Sequence, residues 1–139
     1  MKITGGCHCE KVRYCAEIDP NKIMLCHCTD CQRMSGSAFR GVVVTSDASL
    51  ELVGDVKDYV KTTARSGTPR VQAFCPECGT HLYSTAAQDM PKGTKPYMIR
   101  LGTVDQQDQL TPNMEIWCSS RKHWLNAVDG AIQIEEQSA

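Results

Sequence analysis

The chain has 139 residues, 41% hydrophobic and 22% charged, with 15 Lys and Arg against 16 Asp and Glu. That length suits one domain with a substantial core, and a net charge of −1 supplies no electrostatic case for nucleic acid. The first residues, Met1-Lys2-Ile3-Thr4-Gly5-Gly6, hold no apolar secretory stretch, and no run of about 18 apolar residues could span a membrane. The expected setting is cytoplasmic, where thiols stay reduced and closely spaced cysteines read as metal or redox sites.

Short β-type runs follow one another with Gly, Pro or Asp between them. In chain order the expected strands are 12–16, 38–45, 50–53, 57–62, 71–75, 81–84, 97–104 and 114–118. A helical turn is expected over 29–34, capped by Thr29 or Asp30, and a second over 120–125. Residues 86–96, with Pro91, Gly93 and Pro96, read as a surface loop, and residues 135–139 as a frayed tail. The pattern is that of a mainly β, antiparallel single domain over 1–139 with one or two short helical turns.

Seven of the nine cysteines fall into three clusters. Cys7 and Cys9 form C-x-C, Cys26, Cys28 and Cys31 form C-x-C-x-x-C, and Cys75 and Cys78 form the C-x-x-C of Phe74-Cys75-Pro76-Glu77-Cys78-Gly79. Soft thiolates at such spacing suit Zn²⁺: four close a tetrahedral structural site, and three leave one position open. The C-x-x-C knuckle offers two ligands, and Cys7 and Cys9 are its natural partners. If residues 7–9 are extended, both of these side chains point the same way. The competing readings are buried free thiols for Cys7 and Cys9, and a redox pair for the knuckle.

The Cys26, Cys28, Cys31 trio reads in three ways. It could be an open zinc site that accepts a substrate, a closed site completed by His27, His81 or His123, or a redox dithiol. Arg33, just after it, offers a fork for an anion. Cys15 and Cys118 read as small buried hydrophobes, and Trp117 and Trp124 as core.

These motifs together resemble the glutathione-dependent formaldehyde-activating enzymes, which share a domain with centromere protein V. The resemblance rests on Gly5-Gly6-Cys7-His8-Cys9 with Val12-Arg13-Tyr14, on residues 26–31 with Gln32-Arg33 and Ser35-Gly36-Ser37, and on residues 74–80. It continues through residues 101–105, Pro112, Ile116-Trp117 and Trp124, so it covers nearly the whole chain. It departs at Glu10, where the family usually has Gly.

The resemblance implies a β-tent fold with two zinc ions. One would be structural, on Cys7, Cys9, Cys75 and Cys78, and one catalytic, on Cys26, Cys28 and Cys31. It also implies a carbon–sulfur lyase that joins glutathione to formaldehyde, or the reverse. A thiol would attack a carbonyl carbon as the thiolate, with Arg33, Arg40, Arg100 or Arg121 gripping its carboxylates. His27, Asp30 and His123 are the candidate proton donors. A related zinc enzyme on another substrate and a non-catalytic zinc-stabilised interaction module are the competing functions.

Overall fold

The computed structural model describes residues 1–136. Two β-sheets share one apolar core. The smaller sheet holds β1 (Lys2–Gly6), β2 (Arg13–Glu17) and β5 (Glu51–Val53), in the order β1-β2-β5. The larger holds β3 (Ile23–Cys26), β4 (Arg40–Ser46), β6 (Lys57–Lys61), β7 (Arg70–Phe74), β8 (His81–Ala86), β9 (Pro96–Arg100), β10 (Met114–Ile116) and β11 (Ile132–Gln133). Its order is β11-β10-β3-β4-β9-β8-β7-β6. The pairings are antiparallel except at one edge, where β10 runs parallel to both β3 and β11.

Side-chain alternation drives the packing. Ile3 of β1 and Tyr14 and Ala16 of β2 point inward, towards Ile23, Val43, Leu82 and Ile99 of the larger sheet. Ile3, Ile23, Val43 and Leu82 are fully buried, and each such side chain contributes about 1.5–3 kcal/mol of transfer free energy. Gly5 serves this packing. A Cβ there would collide with the Tyr14 ring and the Thr103 carbonyl, so the chain must approach with no side chain.

The single α-helix among the described residues, α1 (Thr29–Ser35), follows β3 directly. Its N-cap is Cys28, not Thr29 or Asp30: the Cys28 sulfur accepts from the Cys31 N–H at 3.2 Å. Gly36 ends it with φ 63°. Asp30 is drawn away instead, to Lys61 at 2.8 Å and to the Thr63 hydroxyl at 2.7 Å.

Three expected elements change. The strand expected to run to Val104 stops at Arg100, and residues 101–103 form a 3-10 turn. No helix forms over 120–125: a 3-10 turn occupies Cys118–Ser120, and Arg121 turns extended at ψ 136°. That segment has no apolar stripe to bury, and Trp124 is exposed. In the tail, the Glu135 carbonyl accepts from the Ser119 N–H and Glu136 pairs with Arg65; residues 137–139 lie outside the described residues. No helix among the described residues is long and apolar enough to cross a membrane.

Candidate functional site

The seven clustered cysteines gather into two groups, as four sulfurs and three, and all nine cysteines are free thiols. In the first group the sulfurs of Cys7, Cys9, Cys75 and Cys78 lie within 4.8 Å of one another. Cys7 and Cys9 stand 3.6 Å apart, and Cys9 and Cys75 3.7 Å apart across 66 residues of sequence. Four sulfurs at about 2.3 Å from a tetrahedral zinc would be about 3.8 Å from each other. The donor set and these separations therefore fit the ion.

Residues 7–10 are not extended. The Glu10 N–H closes a turn onto the Cys7 carbonyl, and the Val12 N–H reaches the Cys7 sulfur at 3.3 Å. Glu10 takes φ 65°, a conformation that favours glycine. On the knuckle side, the Gly79 N–H bonds the Cys75 carbonyl at 2.8 Å with Gly79 at φ 76°. The Cys78 sulfur meets the Thr80 hydroxyl at 3.2 Å. Hydrogen bonds from the Thr80 hydroxyl and backbone hold the Cys78 thiol down at about 5, which favours a thiolate ligand.

The second group, Cys26, Cys28 and Cys31, likewise lies within 4.8 Å. Cys26 ends β3, Cys28 caps α1 and Cys31 sits in the helix's first turn, so one short segment positions all three. Hydrogen bonds from the Cys26 and Cys31 thiols, then the Cys31 N–H and the Lys61 charge, pull the Cys28 pKa strongly down. The same sulfur–sulfur contacts push Cys26 up.

None of the three candidate histidines joins the trio. His27 is buried, facing the opposite side, with its Nε2 on Glu115 Oε1 at 2.8 Å and its Nδ1 without a partner among the described residues. Glu115, also buried, accepts as well from the Val128 N–H at 2.9 Å and from Gln133 at 2.8 Å, and pairs with Arg121 at 3.3 Å. His81 stacks on Phe74, and His123 is exposed.

The trio opens on a cavity of about 300 Å³, which also takes in Arg40, Gln72, Arg100 and Trp117. A second hollow of about 200 Å³, lined by Asp30, Arg65 and Ser120, shares Cys28, Lys61 and Trp117 with it. Arg33, the expected anion fork, is exposed on α1 and lines neither hollow. Arg40 and Arg100 are 8% and 6% exposed, and both donate to Gln72 Oε1, at 3.2 and 2.8 Å. Burial and the neighbouring Arg40 charge pull Arg100 down to about 9, so it stays a cation at neutral pH.

Trp117 is half-buried in the cavity wall at φ 57°, with Arg65 5.4 Å over its ring, whereas Trp124 lies outside. Cys118 is buried as expected, but Cys15 is only half-buried and donates to Glu51. Lys61, Arg70 and Gln72 carry no motif signal. They are cavity residues only because β6 and β7 fold back beside β8 and β9.

Residues 2–120 match the sequence profile of the family described as glutathione-dependent formaldehyde-activating enzyme. An uncharacterized lyase of Schizosaccharomyces pombe is 30% identical over 95 residues, 68% of this chain and 63% of the relative. The chain thus spans less than two thirds of that relative's length. A crystal structure of a Rhodobacter sphaeroides protein shares the fold at 18% identity, with a TM-score of 0.54 over 94% of this chain and 98% of that one.

Proposed function

The chain belongs to the glutathione-dependent formaldehyde-activating enzyme family, and on that premise we propose that it is a zinc-dependent carbon–sulfur lyase joining a thiol, glutathione in the first instance, to a small aldehyde such as formaldehyde, or cleaving the adduct. One observation carries the reading: the cluster with only three donors turns all three towards one cavity, whereas of the four-sulfur cluster only Cys7 borders a surface hollow. Cys7, Cys9, Cys75 and Cys78 would hold a structural ion, and Cys26, Cys28 and Cys31 a catalytic one. Zinc held by three thiolates supplies, when bound, a position at which an added thiol loses its proton near neutral pH.

The chain's own residues do the rest. Met24, Ile116 and Trp117 form apolar walls that limit water, and Arg40 and Arg100 bring positive charge to the floor. Sulfur attacks the carbonyl carbon, a carbon–sulfur bond forms, and the carbonyl π pair moves onto oxygen. Lys61 lines both hollows with Cys28 and pairs with Asp30 at 2.8 Å; its ammonium would hand that oxygen a proton and be restored by the one the thiol loses. Cleavage is the same path reversed. Holding both reactants in one cavity supplies the proximity contribution.

The test is calorimetric titration of zinc-loaded protein with glutathione, with Cys28→Ser as control, followed by formaldehyde consumption. The reading expects heat and adduct with the wild type and neither with Cys28→Ser. A chain that holds one ion and takes up no thiol would instead be a zinc-stabilised interaction module. Binding of a different thiol in place of glutathione would keep the chemistry and change the substrate.

A further inference from the structure

We propose that the carbonyl substrate of this site bears a carboxylate directly on its reacting carbon, making it a small 2-oxo acid, and that Arg40, Arg100, Gln72 and Ser84 form the subsite for that carboxylate. The inference rests on the lyase reading above and narrows its aldehyde.

The sheet registers place these groups on one face. Cys26 faces Arg40 across β3 and β4, Val42 faces Arg100 across β4 and β9, and Gln72 faces Ser84 across β7 and β8. Side chains two apart share a face, so the sulfur of Cys26 and the four donors border the same cavity. No Asp or Glu lines it, and neither Arg40, Arg70 nor Arg100 forms an ion pair among the described residues.

Donors outnumber acceptors there. Both arginines spend one N–H on Gln72 Oε1, and Arg100 a second on the Met98 carbonyl at 3.1 Å; this fixes the amide and leaves its Nε2 without an acceptor among the described residues. The Ser84 hydroxyl and the Arg70 guanidinium likewise have no acceptor among the described residues, and the Nε atoms of Arg40 and Arg100 are buried without one. The trio's sulfurs border the same cavity and supply part of the counter-charge, but among the described residues none accepts a hydrogen bond from Arg40 or Arg100, so buried charged donors remain that an anion would complete. A guanidinium pair flanked by an amide and a hydroxyl matches the two oxygens of a carboxylate.

The position decides which reactant carries that carboxylate. Arg40 is the rung partner of Cys26, so an anion on these donors lies beside the trio. A carboxylate bonded to the reacting carbon falls there naturally, whereas those of glutathione lie several bonds from its sulfur. In the step proposed, the thiol sulfur bonds to C2 of the oxo acid, the C2 carbonyl π pair becomes an alkoxide, and that oxygen takes the proton lost by the thiol. Nothing is oxidised or reduced and no group leaves.

The test uses zinc-loaded protein with Trp124→Phe, so that Trp117 in the cavity wall reports alone. Oxamate, an unreactive 2-oxo acid analogue, is expected to quench Trp117 saturably while neutral acetamide does not. Arg100→Gln should weaken oxamate about tenfold or more, the worth of a charge-assisted hydrogen bond, with partial rescue in Arg100→Lys. Should Arg100→Gln fail to fold, Arg70→Gln, half-buried and without a side-chain partner, takes its place with a smaller expected loss. Added glutathione should leave oxamate affinity unchanged or tighter. Competitive displacement of oxamate by glutathione would assign the arginines to the thiol and overturn the proposal, as would absence of oxamate binding. With reactive partners, the preference in kcat/KM for glyoxylate over glycolaldehyde should fall about tenfold in Arg100→Gln. Glutathione heat measured in the same samples reports on the thiol chemistry separately, so failure of one reading is distinguishable from failure of the other.

Discussion

The two sulfur clusters differ less in chemistry than in what they connect. The four-sulfur cluster draws on two remote segments, the turn before β2 and the knuckle between β7 and β8, with Cys9 and Cys75 66 residues apart. An ion there would cross-link the smaller sheet to the larger. The three-sulfur cluster comes from one six-residue segment that β3 and α1 already fix. An ion there would join nothing that the backbone does not already hold. Long-range ligands make a staple, and local ligands beside a cavity make a working site.

The sharpest way to break this comparison is to remove one sulfur from each cluster. Cys75→Ser should collapse the fold or lower Tm by tens of degrees, since structural zinc contributes on the order of 10 kcal/mol. Cys28→Ser should keep the far-ultraviolet spectrum and nearly the wild-type Tm while losing one metal equivalent. Equal thermal losses in the two variants would end the distinction between them.

Next in size is the support behind the trio. Glu115→Ala removes the acceptor shared by His27, Gln133 and Arg121 and should cost about 3–5 kcal/mol in a urea titration, because His27 is left buried and Arg121 half-buried without their partner. As His27 lies between Cys26 and Cys28, this variant should also release the trio's metal faster to a chelator. Glu115→Gln should cost less on both measures.

A smaller effect of opposite sign is expected at the staple. Glu10→Gly relieves a left-handed residue at φ 65° and should raise stability by about 1 kcal/mol, read from the denaturation midpoint.

The smallest concerns Asp105, which ties Thr4 and Arg13 to the turn after β9. The Arg13 hydrogen bond, then that of Thr4, holds its carboxyl below the usual range. A lowered folded pKa stabilises the protein above the unfolded value of about 3.9 and ceases to do so as pH falls through the folded one. Asp105→Asn should therefore cost under about 1 kcal/mol at pH 7, since the pair is solvent-screened, and the gap should close below about pH 4. Thermal melts of both proteins across pH 3–7 check it.

The mainly β class, the strands that alternate, and the knuckle were legible in the sequence because each is a local pattern. β1 was missed, since Gly5-Gly6 weakens any strand signal and its order comes from pairing with β2. β3 was masked by the cysteine motif that it ends in. A second helix was expected over 120–125 with a serine at its start, but a helix needs a face to bury, and residues 120–125 have none. Arg33 sat closest to the trio in sequence and yet points to solvent, because α1 turns that side of the helix away from the cavity.

What the sequence determined by itself is the set of donors and their local grouping: spacings of one or two residues constrain where sulfurs can point whatever the rest of the chain does. What only the tertiary structure decided is the surroundings of the trio. Cys26 comes to face Arg40, and Arg100, Gln72 and Ser84 join the same floor, through the registers of β3, β4, β7, β8 and β9. Each register is fixed by burying one apolar face against the other sheet, and a slip of one residue would turn every one of these side chains to the opposite side. The chain's local code names the metal ligands, and long-range hydrophobic pairing chooses the charges that greet the substrate.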